Sequence, residues 1–282
     1  MLHLAPDIVV WLLYGLSIIS VFYRFRYWPL LLALTFALAF YVQRISISAA
    51  IISTALLGLA TVAKHLPSRY QFFIQSLVIF SALALALHFI PGFNNLLVLD
   101  QVITGPDSAP FTMYLNLDKP LVFFLLFSLM PNMLSTEKTL TLSLTKKFIL
   151  LCSFASLFIL ALTMQLVKQE WSFPDWWWLF AINNVLFTCV AEEAFFRGYL
   201  QNRLKTLISN PTFSMPFSIA VSSILFGLAH FSGGINFMIV ATLAGIVYGL
   251  SYHWSGRLSI AIATHFAFNI CHLIFFTYPL AR

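Results

Sequence analysis

Long apolar runs, separated by short polar connections, constrain the fold of this chain more than any other feature. A helix crosses a bilayer with about 20 largely apolar residues, in a range of roughly 17 to 25. Measured against that length, the 282 residues contain ten candidate spans. They are Ile8 to Phe22, Trp28 to Val42, Ile47 to Ala63, Phe72 to Ile90, Leu121 to Leu134, Phe148 to Val167, Trp177 to Leu200, Pro216 to Phe231, Ile235 to His253 and Leu258 to Phe276. The pattern predicts an all-α fold, a polytopic transmembrane helical bundle with about ten spans.

The composition excludes the other large classes of protein. Hydrophobic residues make up 61% of the chain and charged residues 9%, whereas soluble domains are about 45–50% apolar and about 25% charged. A disordered chain needs the opposite balance. The net charge of +6 comes from residues scattered between the apolar runs, so it indicates loops at a membrane surface and no nucleic-acid partner. Three cysteines without paired spacing predict neither a disulfide framework nor a zinc site; they are Cys152, Cys189 and Cys271.

The connections between the spans alternate in charge. Cytoplasmic loops are enriched in Lys and Arg, and every second connection here is basic. Those connections carry Arg24 and Arg26, Lys64 and Arg69, Lys138 with Lys146 and Lys147, Arg203 and Lys205, and Arg257. Ten crossings with both termini outside produce this alternation, which requires the fifth span to cross as well. We therefore expect an integral, multi-pass protein of the bacterial inner (plasma) membrane.

Charged residues within the predicted spans are concentrated in one helix. An ionised side chain at the bilayer centre costs about 2.5–3.5 kcal/mol on insertion scales, so a carboxylate there indicates function. Glu192 and Glu193 are the acidic residues that fall within a span, and Arg197 follows on the same helix. Glu193 and Arg197, four residues apart, can pair on one face. Glu192 is rotated from Glu193 by about 100°, so it is placed to face another helix and to act as a general base.

Two later spans supply matching polar residues. Phe226 and His230 share a face near the end of the eighth span, and His265 and Asn269 are four residues apart in the tenth. A single histidine or asparagine in a membrane helix is commonly a packing residue. Occurring together with the diglutamate, these residues favour an active site, because buried charges need polar partners. The packing interpretation is applied to His88 and His253, and no role is assigned to His272.

These segments resemble the motifs of the CPBP (CAAX protease and bacteriocin-processing, Abi) family, whose eukaryotic relatives include the Ras-converting CAAX prenyl endopeptidase. The motifs EExxxR, FxxxH and HxxxN occur in that order within residues 177–276, as Glu192 to Arg197, Phe226 to His230 and His265 to Asn269. The resemblance implies an intramembrane endopeptidase that hydrolyses a peptide bond of a membrane-associated protein or peptide. It also implies site roles: Glu192 and His230 activate water, His265 and Asn269 stabilise the oxyanion, and Glu193 and Arg197 support the first carboxylate.

Two alternatives stay open. The first is a zinc site, with Glu192, His230 and His265 as three ligands and an open fourth position. The HExxH pattern of zinc peptidases is absent from the sequence. A site without a cofactor is therefore preferred. The other alternative is a non-proteolytic membrane scaffold, an immunity factor or a transporter that uses the same buried polar cluster.

The expected partners are a membrane-anchored substrate and the lipid bilayer, with no oligomeric state indicated. Residues 1–145 are predicted to form N-terminal helices of unassigned role, and residues 146–282 the protease-like core.

Overall fold

The computed structural model describes residues 6–134 and 142–282, and most of these residues are helical. Ten helices of nine residues or more lie in these two ranges if Trp177–Leu207 is counted as one. They are α1 (Val9–Phe22), α2 (Trp28–Tyr41), α3 (Ile47–Val62), α4 (Ser68–Ala86), α5 (Leu121–Leu129), α6 (Leu144–Thr163), α7 (Trp177–Leu207), α8 (Pro211–Leu228), α9 (Ile235–Ser255) and α10 (Leu258–Phe275). The predicted all-α, polytopic bundle is confirmed. Lys138, one of the basic loop residues, lies outside the described residues.

Six of these helices, α4 and α6 to α10, are long and apolar enough to cross a membrane, and α1 to α3 are shorter apolar helices. Much of their apolar surface points outward. In α6 only 11% of the residues are buried, and Phe148, Leu151 and Ile159 are each more than 60% exposed. Such a surface is stable against hydrocarbon rather than water. The chain is therefore an integral, multi-pass membrane protein.

The fifth helix is shorter than the predicted span. The helix α5 ends at Leu129, before Pro131, because the residue preceding a proline disfavours helical backbone. Nine residues cover about 13 Å, less than the thickness of a bilayer. Residues 121–126 are at most 1% exposed, and α3 and α4 both pack against this helix. A helix that is apolar on all sides and enclosed in this way is a core helix.

The chain packs as two compact units. The first comprises Met1–Asp100, Thr112–Asn132 and Leu186–Ala191. Within it α1 packs on α2, and Tyr14 stacks on Phe124 with ring centroids 5.7 Å apart. The second unit comprises the ranges Gln101–Phe111, Met133–Val185 and Glu192–Arg282. In it α9 packs against α6, α8 and α10. The predicted boundary between residues 145 and 146 concerns the roles of the two parts and stays a prediction.

The connection from Pro91 to Lys119 contains secondary structure that the sequence analysis did not predict. Its strands β1 (Leu96–Val102) and β2 (Phe111–Leu115) form a two-stranded sheet. Within the second unit, residues 101–111 are held by the Glu170 carboxylate, which accepts hydrogen bonds from the backbone N–H of Asp107 at 3.2 Å and from the Ser108 hydroxyl at 3.3 Å. This part of the connection is therefore ordered by side-chain hydrogen bonds.

Candidate active site

The helix α7 carries the diglutamate, and its backbone is irregular around it. Two π-helical segments, Asn183–Cys189 and Ala194–Gln201, flank the α-helical turn Val190–Glu193. Wider turns of this kind are frequent at functional sites. These π-helical segments were not predicted from the sequence. The pattern of apolar side chains does not distinguish an α-helix, whose backbone hydrogen bonds join residues four apart, from a π-helix, in which they join residues five apart.

Glu193 and Arg197 form a completely buried ion pair. Both side chains are 0% exposed, and Arg197 Nη1 donates to Glu193 Oε1 at 2.9 Å. The pairing inferred from their spacing is thus present. Arg197 Nη2 donates to the backbone carbonyl oxygen of Gly245 in α9 at 2.9 Å. The guanidinium also lies over the Phe226 ring, 4.7 Å from its centroid, where a cation is attracted by the ring face.

His265 joins the ion pair from α10. Its Nδ1 lies 2.9 Å from Glu193 Oε1, the oxygen that also accepts from Arg197. An ionised carboxylate only accepts hydrogen bonds, so His265 Nδ1 carries a hydrogen in this arrangement. The other ring nitrogen, Nε2, lies 3.9 Å from Oε2 of the half-buried Glu192. The ring stacks on Tyr248, with centroids 4.5 Å apart. His265 is therefore held between the two glutamates.

His230 lies at the C-terminal end of α8 and is half-buried. Its Nδ1 is 2.8 Å from the backbone carbonyl oxygen of Phe226. Because a carbonyl only accepts, Nδ1 is the donor, and in the neutral ring Nε2 is the nitrogen that accepts a proton. The Phe226 ring contacts both histidines, with centroids 4.6 Å from His230 and 5.7 Å from His265. Among the described residues, His230 hydrogen-bonds this carbonyl and no carboxylate.

Asn269 has a partner that the sequence analysis missed. Its Nδ2 donates to Oδ1 of Asn184 at 3.1 Å, and Asn184 is 7% exposed within the first π-helical segment of α7. A signal for this partner was present, since Asn183 and Asn184 are adjacent amides inside an apolar run. Polar groups are costly in hydrocarbon, so these two amides indicate a functional or paired position as the glutamates do.

Three further histidines, His88, His253 and His272, make structural contacts or lie at the surface. His88 lies beyond the end of α4 with a side chain that is 47% exposed, and its Nδ1 is 2.6 Å from a carboxylate oxygen of the buried Asp118. His253 is exposed near the end of α9. His272 donates from Nε2 to the backbone carbonyl oxygen of Thr277 at 3.1 Å. A carbonyl accepts only, so this nitrogen is already engaged in a contact that orders the chain after α10.

The zinc alternative requires three ligands that converge on one point. Within residues 6–134 and 142–282, no group of three or more His, Cys, Asp or Glu side chains is placed to hold a metal ion. Glu192, His230 and His265, the ligand set considered from the sequence, do not form such a group in this conformation.

Gly227 brings α8 into close contact with α9. A Cβ at this position would lie 1.8 Å from Thr242 Oγ1 and 2.7 Å from the backbone oxygen of Met238. We expect Gly227→Ala to separate the two helices, to lower stability by about 1–3 kcal/mol and to displace the neighbouring His230. Thermal unfolding of the purified protein measures the loss. Gly58→Ala is the matched control, since a Cβ there meets nothing within 4 Å; equal stabilities would contradict the close contact.

One comparison with known proteins found a match, in the C-terminal half of the chain. Residues 174–271 match the family model described as Type II CAAX prenyl endopeptidase Rce1-like. The matched range starts just before α7, ends within α10 and includes all three sequence motifs. Comparison with curated proteins and with solved structures found no match.

Proposed function

We propose that this chain is an intramembrane endopeptidase of the CPBP (CAAX protease) family, which hydrolyses a peptide bond of a membrane-associated protein or peptide; the match of residues 174–271 to the Rce1-like family model supports this proposal. The observation that carries this proposal is the buried cluster of Glu193, Arg197 and His265, with Glu192 beside it. Charges at membrane depth are expensive and are retained where they serve a function. A pure packing role does not require two adjacent carboxylates.

We assign water activation to Glu192 and His230. Glu192 is half-buried, and the Nδ1 contact of His230 with a carbonyl leaves its Nε2 as the nitrogen that accepts a proton. In the proposed reaction this pair takes a proton from water while the water oxygen bonds to the scissile carbonyl carbon. The proton then passes to the leaving amine as the carbon–nitrogen bond breaks. General acid–base catalysis of this kind contributes about 10²–10⁴-fold.

We assign oxyanion stabilisation to His265 and Asn269. The Asn269 amide is a hydrogen-bond donor, and its contact with Asn184 fixes the orientation of its Nδ2 group. For His265, Nδ1 donates to Glu193, so donation from Nε2 to an oxyanion requires the doubly protonated ring.

Glu193 and Arg197 have a supporting role in this proposal. Arg197 holds the carboxylate of Glu193, and the carboxylate holds His265 Nδ1, so that Nε2 is directed towards Glu192. A carboxylate that fixes the orientation of a histidine in this way is a common element of catalytic sites. Neither residue needs to touch the substrate to affect the rate.

The proposed setting is the bacterial plasma membrane, with a membrane-anchored protein or peptide as the substrate. The catalytic core is assigned to residues 146–282, and no role is assigned to the helices of residues 1–145. No cofactor is assigned. A zinc-dependent version of the reaction would require stoichiometric metal in the purified protein and loss of cleavage with a strong chelator, so metal analysis and chelation distinguish the two versions.

Two isosteric replacements of His265 test the proposal. Asparagine places an amide nitrogen near the Nδ1 position, and glutamine places one near the Nε2 position. We expect His265→Asn to keep the contact with Glu193 but to slow cleavage by about 10²–10³-fold, as for loss of one oxyanion donor. His265→Gln, which restores a donor on the Glu192 side, is expected to retain roughly tenfold more activity than His265→Asn, a partial recovery of that donor.

The measurement is a comparison of membrane proteomes from cells that express the wild type or each variant. An uncleaved, membrane-anchored precursor is expected to accumulate most with His265→Asn. His253→Asn, at an exposed histidine of α9, is the control and is expected to match the wild type. If no precursor accumulates with His265→Asn although the protein is inserted at normal abundance, the proteolytic function is refuted.

A further inference from the structure

Beside the proposed catalytic residues, four buried polar atoms have no hydrogen-bond partner among the described residues. They are Glu193 Oε2, Arg197 Nε, Gln201 Oε1 and Ser223 Oγ. All four side chains belong to residues that are at most 4% exposed. Buried polar groups in folded proteins are nearly always hydrogen-bonded, to protein or to ordered water. Four exceptions in one region therefore need a common explanation.

Three of these residues form a row along α7. Glu193, Arg197 and Gln201 follow one another at intervals of four, and two of them bond in register to α9. Arg197 donates to the carbonyl oxygen of Gly245 at 2.9 Å, and Gln201 Nε2 donates to that of Gly249 at 3.2 Å. Because a carbonyl only accepts, the contact with Gly249 fixes the orientation of the Gln201 amide. Its Oε1 is thus an acceptor, and it lies 3.0 Å from the position that a Cβ on Gly249 would occupy.

Ser223 brings a third helix, α8, to the same place. A Cβ built on Gly245 would lie 3.1 Å from Ser223 Cβ and 3.2 Å from Arg197 Nη2. Ser223 and the Arg197 guanidinium therefore both lie against the bare backbone of Gly245. Glycine at this position allows the close approach of the helices, so the polar atoms of α7 and α8 share one buried region.

The four atoms match the hydrogen-bonding capacity of water better than that of an ion. Arg197 Nε is a donor, Gln201 Oε1 and Glu193 Oε2 are acceptors, and the Ser223 hydroxyl is both. A bound cation would lie beside the Arg197 guanidinium, and a bound anion would lie beside the Glu193 carboxylate, so both are disfavoured. Glu193 and Gln201 are eight residues apart on α7, and one water bridges two bonds of about 3 Å each, so we expect more than one water along the row.

We infer that α7, α8 and α9 enclose a buried water site bounded by Arg197 Nε, Gln201 Oε1 and Ser223 Oγ and extending to Glu193 Oε2. Buried waters typically make about three hydrogen bonds to polar groups that are otherwise unsatisfied. In this site the waters complete the hydrogen bonding of the Arg197 guanidinium and the Glu193 carboxylate, and the existence of the site does not rest on the proposed function.

The sign of a stability change tests the site. If it holds water, Ser223→Ala deletes one partner of that water, and we expect the Tm of the full-length protein to fall by roughly 2–4 °C. If the region is dry, the same change removes an unsatisfied buried hydroxyl, and the Tm stays the same or rises. Ser222→Ala is the matched control, because Ser222 is equally buried but already donates to the Ile219 carbonyl oxygen.

The water site can also be observed directly, without any variant. In an experimental structure that resolves ordered solvent, we expect density peaks within about 3.2 Å of Arg197 Nε and of Ser223 Oγ. An unchanged or higher Tm for Ser223→Ala, a fall no larger than that of Ser222→Ala, or ordered side chains with no density between them would each overturn the inference. Density for a halide would do so too. Loss of proteolysis is not used as a readout, so this test can fail without the proposed function failing.

Discussion

Glu192→Gln is expected to reduce cleavage of the membrane-anchored precursor by about 10²–10⁴-fold, the contribution of a general base. Glutamine keeps the size and shape of the side chain but cannot take a proton from water. Because glutamine matches glutamate in size and Glu192 Oε2 lies 3.9 Å from His265 Nε2, we expect no large structural effect of this replacement. The assay is the rate at which purified protein in lipid vesicles converts the precursor identified by the proteome comparison.

Asp175→Asn is the matched control for this prediction. Asp175 is an exposed carboxyl just before α7, so its amide variant changes the charge of the same region without touching the cluster. It is expected to cleave at the wild-type rate. Undiminished cleavage by Glu192→Gln would refute the assigned base, whereas a transporter that uses the cluster would instead show substrate flux that depends on membrane potential.

The charged part of this site could be predicted from the sequence because the paired residues lie close together on one helix. Glu193 and Arg197 lie on one helix, and a spacing of four residues brings them together in the α-helix assumed and also in the π-helical backbone observed. The ten apolar segments were likewise predictable from length and composition, since each helix must satisfy its own backbone in hydrocarbon. These inferences required no knowledge of how the helices pack.

The contacts that depend on packing were not predictable. The approach of His265 Nδ1 to Glu193, rather than to Glu192, is set by the rotation of α10 against α7, which helical periodicity leaves open. The partnership of Asn269 with Asn184 is set in the same way. The helix α5 was predicted to span the bilayer because an apolar run has the same sequence pattern whether it faces lipid or lies in a protein core. Only its enclosure by α3 and α4 distinguishes the two.

Arg197→Met is expected to destabilise the protein by about 3–5 kcal/mol, because it leaves the Glu193 carboxylate buried without its cationic partner. Both side chains are 0% exposed, so solvent cannot compensate for the loss. The Tm should fall on the order of 10 °C for a chain of this size. Arg203→Met, an exposed position further along α7, is expected to change stability by no more than about 0.5 kcal/mol.

The double variant separates the cost of an unpaired charge from the value of the pair itself. Glu193→Gln together with Arg197→Met removes both charges, and replacement of a buried pair by neutral residues of similar volume is often neutral or stabilising. We therefore expect the double variant to recover most of the stability lost by Arg197→Met while cleavage stays low, because His265 loses the carboxylate that holds Nδ1. Full activity in the double variant would show that the ion pair does not orient the site. A double variant as unstable as Arg197→Met would show that contacts of the guanidinium with Gly245 and Phe226, rather than charge pairing, stabilise this part of the fold.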